Sequence, residues 1–312
     1  MDLSFVIPNF NCTCLLPACL KSLPKDQEII IIDNASTDNS LSKIKELKDT
    51  LKIKKCKLII NQKNLGFAKA VNQGILAASN PYVALINTDI VLSPHWQKLM
   101  IQAIKSKANP QTAVFSGLVL NHDGKRIESE GLQYFWRGKC LNINNDHPLH
   151  KSYFINRKSR FIWGANAACT IYRRQILIDI GLFDENFFAY EEDVDLCLRL
   201  NKLGYQTLFV PLAISYHTGG ATSSQMGNLR WRMDAKNWIY IIIKNYSLTE
   251  IVSNLFPLLI ERLRNLSGLI KHTPLWQIIP SLISTYGQIF LHLPRLLHLR
   301  RQLAKLIYDH RH

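Results

Sequence analysis

The sequence predicts an α/β fold in which a largely parallel sheet carries helices on both faces. Three observations point there. Over the first 120 residues, short apolar runs alternate with stretches of helical spacing. The runs read as buried strands. Each ends in polar, turn-forming residues, as in open sheets that bind ligands at the carboxyl ends of their strands.

In order, the strands are "LSFVI" (3–7), "EIIIID" (28–33), "CKLII" (56–60) and "YVALI" (82–86), with helical spacing at 14–23, 38–50 and 67–79. Their ends read "PNFN", "DNASTD", "NQKNLGF" and "NTD". The rhythm is lost over 121–160, where "NHDGKRIESEG" and "INNDHPLHKS" read as surface loop. Order returns at "FIWGANAACTIYRR" (161–174), followed by an amphipathic helix and the acidic stretch "FFAYEEDVDLCLRL" (187–200). "YQTLFV" (205–210) is another strand, leading into "SYHTGGATSS". Beyond about residue 226, helical segments rich in Ile, Leu, Trp and Arg take over, so the chain is divided into 1–225 and 226–312.

The net charge is +15, and it is uneven. From Arg230 to His312 there are twelve Lys/Arg against four Asp/Glu, with five of the ten histidines. Such a surface suits phosphate-bearing partners: nucleotides, nucleic acid or anionic lipid. Thr273 to Pro294 has no charged residue and is long enough to cross a bilayer. Its polar residues and its prolines at 274, 280 and 294 favour a basic amphipathic region lying on the membrane. The N-terminus, "MDLSFVIPNFN", lacks a basic segment followed by an apolar one, so a cytoplasmic protein is expected. Seven scattered cysteines then read as reduced thiols; Cys12, Cys14 and Cys19 cluster without completing a zinc site.

The absence of G-x-G-x-x-G after the first strand weakens a dinucleotide reading. At the strand ends, Asp33 suits either hydrogen bonds to a base or ribose, or a turn that caps a helix. Asn87-Thr88-Asp89 suits a divalent cation shared with a diphosphate, or an Asx-turn. His217, before two glycines, reads as a metal ligand or a surface histidine. Glu191, Glu192, Asp193 and Asp195 crowd five positions. Acids at a helix start complement its dipole, and Asp195 can pair with Arg199. Crowded carboxylates also repel, which raises a pKa toward that of a general base.

Taken together, "SFVIPNFN", "EIIIIDNASTD", "NLGFAKAVNQGI", "VALINTD", "WGANAACTIYRR", "GLFDENFFAYEEDVDLCLRLNKLGY" and "YHTGG" resemble, in that order, the family 2 inverting glycosyltransferases, most of all rhamnosyltransferase-type members that build bacterial surface polysaccharide. The resemblance spans roughly residues 3–225. It implies a GT-A fold, a mostly parallel central sheet flanked by helices, here with a C-terminal helical region. It implies that Pro8 and Asn9 lie under the nucleotide and that Asp33 contacts base or ribose. Gly66 would let the backbone pass close to the donor, with Asn72 behind it. Asn87, Thr88 and Asp89 stand at the D-x-D position, with Asp89 and His217 as ligands of Mg²⁺ or Mn²⁺. Trp163 and Gly164 would line the sugar and acceptor pocket, Glu192 would orient the acceptor, and Asp193 would be the catalytic base. The implied partners are a nucleoside-diphosphate sugar, a glycan or polyprenyl-linked glycan acceptor and an anionic membrane surface, with no nucleic acid; the implied location is the inner face of the cell membrane. Asn87 departs from D-x-D: an amide oxygen is a weaker ligand than a carboxylate, which leaves room for a catalytically degenerate relative that only binds glycan. A sugar nucleotidyltransferase would need "G-x-G-x-R" where this chain has "PNFNCTC". A nucleic-acid binder would interleave aromatics with its basic residues rather than gather charge in a leucine-rich tail.

Overall fold

The computed structural model describes residues 2–107, 109–218 and 229–311. Strands β1 (Ser4–Asn9), β2 (Glu28–Asp33), β3 (Lys55–Ile60) and β4 (Tyr82–Ile86) form a parallel half-sheet in the order β3-β2-β1-β4. Helices α1 (Leu16–Ser22), α2 (Ser40–Thr50) and α3 (Phe67–Ala77) connect them. Alternation along each strand feeds two cores. Phe5, Ile7, Ile29 and Ile31 pack with Leu16, Leu20, Ile44 and Leu47 from α1 and α2. Val6, Ile30 and Ile32 pack with Ala68, Val71 and Ile75 from α3. Each such side chain contributes about 1.5–3 kcal/mol through burial. Gly74 lets α3 sit directly on the sheet, since a Cβ there would lie 2.3 Å from Val6 Cγ1.

The rest of the sheet is mixed. Strand β11 (Cys169–Arg173) runs antiparallel beside β4 and β6 (Thr112–Asn121) antiparallel beside β11. Strand β12 (Gln206–His217) lies parallel to β6, with the short antiparallel strands β5 (Ile90–Leu92) and β10 (Arg160–Ile162) along it. The register of β12 shifts between Val210 and Ile214, around Pro211, which has no N–H for the ladder. Helix α4 (Trp96–Lys107) and strand β6 were not read from the sequence. "CKLII" proves to be an edge strand: β3 pairs only with β2 on the main path, and none of its residues is fully buried.

Residues 121–160 are also more ordered than a surface loop. They hold β7 (Ile127–Ser129), paired with β6, and a hairpin of β8 (Leu132–Phe135) and β9 (Lys139–Asn142). Their polarity misleads because acids turn inward: Glu130 is fully buried, paired with Arg160 and accepting from Asn144 Nδ2 at 2.9 Å.

Helices α5 (Arg174–Asp179) and α6 (Glu192–Lys202) flank the acidic loop. Beyond it come α7 (Leu229–Asn245), α8 (Leu248–Ser253), α9 (Leu255–Lys271) and α10 (Ile278–Arg311). The division at 225/226 falls among residues 219–228, outside those described. One hydrophobic core crosses it, joining Leu132, Phe187, Val194 and Leu198 to Trp238, Tyr240, Ile241, Leu258 and Leu296. The outer faces of α8, α9 and α10, and of the short turn Leu275–Gln277 before α10, are apolar and open to solvent, with Phe256 74%, Trp276 77% and Phe290 77% exposed. Among the described residues no helix is long and apolar enough to cross a membrane.

Candidate active site

The carboxyl ends of β1 and β4 open onto a cavity of about 550 Å³. Nine of the residues singled out in the sequence line it: Pro8, Asn9, Gly66, Asn87, Thr88, Asp89, Glu192, Asp193 and His217. They come from five places in the chain, which the sheet order brings together.

Four singled-out residues stand elsewhere. Asp33 is buried behind the wall, where it accepts from Asn9 Nδ2 at 2.9 Å and from the Ser36 amide at 3.1 Å. It positions Asn9 and does not line the cavity; Asn34 does. Asn72 is spent on a two-way clip to Phe183, donating to its carbonyl at 2.8 Å and accepting from its amide at 3.1 Å. Trp163 stacks on Tyr134 at 4.7 Å. Gly164 presses on α6, where a Cβ would meet Cys197 Sγ at 2.6 Å. The segment does reach the cavity, but through Asn166 and Ala167, on the turn that leads into β11. Gly66 makes its close approach to protein: a Cβ would lie 2.5 Å from Phe188 O, and its φ is +84°.

The acidic loop is strained. Phe188, Tyr190 and Glu191 have φ of 64°, 68° and 65°, each costing on the order of 1–3 kcal/mol. Its neighbours hold it in place. Asn237 on α7 donates its amide to the carbonyls of Phe187 at 3.2 Å, Ala189 at 2.9 Å and Tyr190 at 2.7 Å. Lys244, also on α7, bridges Asp184 at 2.7 Å and Asp195 at 2.8 Å. Asp195 pairs with Arg199 at 2.9 Å, as its spacing suggested, and Arg199 in turn donates to Ile180 O and Leu182 O.

At the start of α6, Asp193 accepts from its neighbour Val194 N at 2.8 Å and from Ala167 N at 3.2 Å. Burial pushes its carboxyl up, and these amides pull it back toward ionisation. Burial, and then the charge of Asp193, push Glu192 up to about 8. Both carboxyls are thus held above the ordinary carboxylate range, and the two amides and the helix start favour the charged form of Asp193. Glu191 lies off the cavity and is also pushed up, first by burial and then by Asp234 and its neighbouring acids.

Across β12, His217 Nε2 meets Asp89 Oδ2 at 3.0 Å and Nδ1 meets Glu128 Oε1 at 2.5 Å. Burial pulls this imidazole down, but the two carboxylates outweigh it and raise it to about 10. Glu128 lies on β7, in the stretch read as loop, so its role was not legible. No group of three or more His, Cys, Asp and Glu stands ready to enclose a metal among the described residues. Yet the donor set fits a hard divalent cation completed by a ligand's own oxygens. Asn87 Oδ1 and Asp89 Oδ1 are both buried without a hydrogen-bond partner among the described residues. Two orphaned oxygens two residues apart are costly unless something cationic satisfies them.

Comparison with known proteins bears on the family and the fold. The model of the family described as Glycosyl transferase family 2 matches residues 4–181. An uncharacterized glycosyltransferase of Haemophilus influenzae is 27% identical over 221 residues, covering 67% of this chain and 62% of that protein. A poly-beta-1,6-N-acetyl-D-glucosamine synthase of Staphylococcus aureus is 26% identical over 199 residues, covering 61% of this chain and 42% of the relative. The uncharacterized protein y4gI of Sinorhizobium fredii is 24% identical over 200 residues, covering 62% and 21%. The chain thus spans less than two thirds of the length of each of these relatives. Among solved structures, S. aureus TarS 1–349 in complex with UDP-GlcNAc superposes with a TM-score of 0.60 at 17% identity, covering 99% of this chain and 89% of that one. The mannosyltransferase PcManGT from Pyrobaculum calidifontis, in complex with GDP-Man and Mn²⁺, gives 0.56 at 13% identity, covering 97% and 85%. These likenesses speak to the fold. The sheet order, the cavity at its strand ends and a family match that runs from β1 past α5 lead to one conclusion: the chain belongs to glycosyl transferase family 2 and has the GT-A fold.

Proposed function

We propose that the protein is an inverting glycosyltransferase. It moves a sugar from a nucleoside-diphosphate sugar to a hydroxyl of a glycan or lipid-linked glycan, in the synthesis of cell-surface polysaccharide. One observation carries the reading: the carboxyl of Asp193, held by the amides of Ala167 and Val194, shares a single cavity with the polar ends of β1 and β4. A volume of about 550 Å³ suits a ligand the size of a nucleotide sugar.

In this reading Asp193 accepts the proton of the acceptor hydroxyl as that oxygen attacks the anomeric carbon. The carbon–oxygen bond to the diphosphate breaks on the opposite face, and configuration inverts. Glu192, protonated, donates a hydrogen bond that orients the acceptor. Pro8, Asn9, Gly66 and Thr88 line the donor's side, with Asp33 acting through Asn9. Asp89, His217 and the Asn87 side-chain oxygen would hold Mg²⁺ or Mn²⁺, and His217 must give up its proton to do so. Such an ion, when bound, neutralises charge on a leaving diphosphate. Asn166 and Ala167, rather than Trp163 and Gly164, line the acceptor's side.

The test is transfer from a panel of nucleotide sugars, with and without Mn²⁺, by wild type and Asp193→Asn. Turnover should fall about 10²–10⁴-fold in the variant, with nucleotide binding kept and the product anomer inverted. Near-wild-type turnover would remove Asp193 from the chemistry.

We also propose that the outer face of α8–α10 rests on the anionic inner face of the cell membrane. The exposed Phe256, Trp276 and Phe290 support this, together with the basic charge of the same region. Trp276→Glu together with Phe290→Glu should weaken binding to vesicles of phosphatidylcholine and phosphatidylglycerol about tenfold or more. Unchanged co-sedimentation would count against the membrane as partner.

A further inference from the structure

Behind Phe188 lies a second cavity, of about 420 Å³, between the acidic loop, α7 and α10. Phe188 is a wall of both cavities. We propose that this second cavity is an anion site that takes a phosphate group, and that the phosphate belongs to a lipid-linked acceptor. The existence of the site stands on its own residues; the identity of the phosphate's carrier rests on the transferase reading.

Three of its six polar lining residues are basic. Lys236 and Arg232 come from α7 and His292 from α10. The acid in the lining, Glu185, is already tied to Lys69 at 3.0 Å. Lys236 is only 3% exposed. Its ammonium donates to Asn186 O at 3.2 Å and lies 4.9 Å from the centre of the Tyr240 ring. Among the described residues no carboxylate is within ion-pair distance of it. Arg232 donates Nη2 to Ser284 Oγ at 2.6 Å, while its Nε is buried without a partner among the described residues.

The same helix provides the contrast. Lys244, two turns further on, is equally buried but sits between Asp184 and Asp195. A buried ammonium without such a partner is costly. Burial, reinforced by Arg232 and opposed by Asp184, draws Lys236 down to about 8. An anion in the cavity would supply the missing counter-charge. A phosphate suits it better than a carboxylate, because it offers oxygens in several directions to Lys236, the guanidinium of Arg232 and His292 at once.

Two placements point to an acceptor that carries lipid. Through Phe188 the cavity adjoins the one that holds Asp193. On α10, Gln288 and His292 face the cavity, and between them Phe290 and Leu291 turn out to the exposed apolar face. A lipid diphosphate could thus set its phosphate inside and its chain along that face.

The test is calorimetric titration of the full-length protein, saturated with UDP, first with inorganic pyrophosphate and then with farnesyl diphosphate. Pyrophosphate should bind despite the UDP. Lys236→Met and Arg232→Gln should each weaken it at least tenfold, Lys236→Arg should keep it, and all three should bind UDP as wild type does. Tighter binding of farnesyl diphosphate than of pyrophosphate, by tenfold or more, supports a lipid source. Equal affinities would overturn the lipid assignment and leave a site for free phosphate. Pyrophosphate that binds only in the absence of UDP, or equally well in Lys236→Met and the half-exposed Arg232→Gln, would overturn the site. Failure of wild type to bind UDP would instead count against the donor reading, which this titration reads separately.

Discussion

The two walls of the main cavity are built in different ways. The wall of Pro8, Asn9, Asn87, Thr88 and Asp89 consists of strand ends. Each residue there follows directly from a buried apolar run, and parallel pairing aligns the ends without further help. The wall of Phe188, Tyr190, Glu192 and Asp193 is a loop and the helix start it leads into; three non-glycine residues of the loop have positive φ, and α7 holds it from behind. A strand end inherits its position from the sheet. A strained loop keeps its position only while remote groups over-determine it. Damage to α7 should therefore reach the acidic wall and spare the strand-end wall.

The largest effect on stability is expected at Lys244. With Asp184, Asp195 and Arg199 it makes a charge-balanced buried quartet. Lys244→Met leaves a net negative charge inside, a loss of about 3–5 kcal/mol, measurable as a lower denaturation midpoint. The same quartet makes the wild type acid-sensitive. Asp184 is itself pushed up by burial, but Lys244 outweighs that and draws its carboxyl below the ordinary range. A depressed carboxyl adds stability above its unfolded pKa of about 3.9, and that stability is lost as pH falls further through the folded value. Lys244→Met should lose this acid-dependent part. Retention of it would mean that the quartet does not brace the loop.

Asn237 tests the comparison more sharply, because it touches the loop and nothing on the other wall. Asn237→Leu keeps the volume and leaves the carbonyls of Phe187, Ala189 and Tyr190 without that donor. The cost should be about 1–3 kcal/mol. Sugar transfer should fall while UDP affinity stays within about twofold, read by paired turnover and titration. Equal losses in both would mean that the walls move as one.

This contrast also explains what could be read in advance. Apolar runs ending in Asn9 and Asn87 announce strand ends, because burial and turn chemistry are local properties. Asp193 was legible as one of four crowded acids, and Asp195 as the partner of Arg199. Asn237, Lys244 and Glu128 were not. Each is a single polar residue in a stretch whose local pattern says helix or loop, and its meaning comes from a partner about 50 to 90 residues away. The basic tail misled in part for the same reason. Lys236 and Lys244 count toward its positive charge, yet both are buried rather than on its surface. Trp163 and Gly164 missed the cavity by two residues, a slip that hydrophobic pattern alone does not correct.

The smallest effect concerns the proton shared by the acidic wall. Glu192 is buried, its Oε2 has no partner among the described residues, and its pKa is raised to about 8 by burial and then by Asp193. Burial raises Asp193 as well, and the amides of Ala167 and Val194 oppose that rise. The two titrate as a pair, so the proton lost near pH 8 belongs to both. In the unfolded chain Glu192 would release its proton near pH 4.3. The folded state thus holds a proton that the unfolded state has lost. The associated stability is fully present below about pH 4 and declines as pH rises toward 8, by at most about 1.4 kcal/mol per pH unit. Glu192→Gln keeps the shape and cannot ionise, so its stability should be flatter between pH 6 and 8. Denaturation midpoints of both proteins at pH 6, 7 and 8 decide the matter: a wild type that loses ground to the variant as pH rises places the proton on Glu192, and parallel curves would place the window elsewhere. Lys244→Met removes neither carboxyl of the Glu192–Asp193 pair, so the slope should survive in it if the brace and the proton are separate properties of the wall.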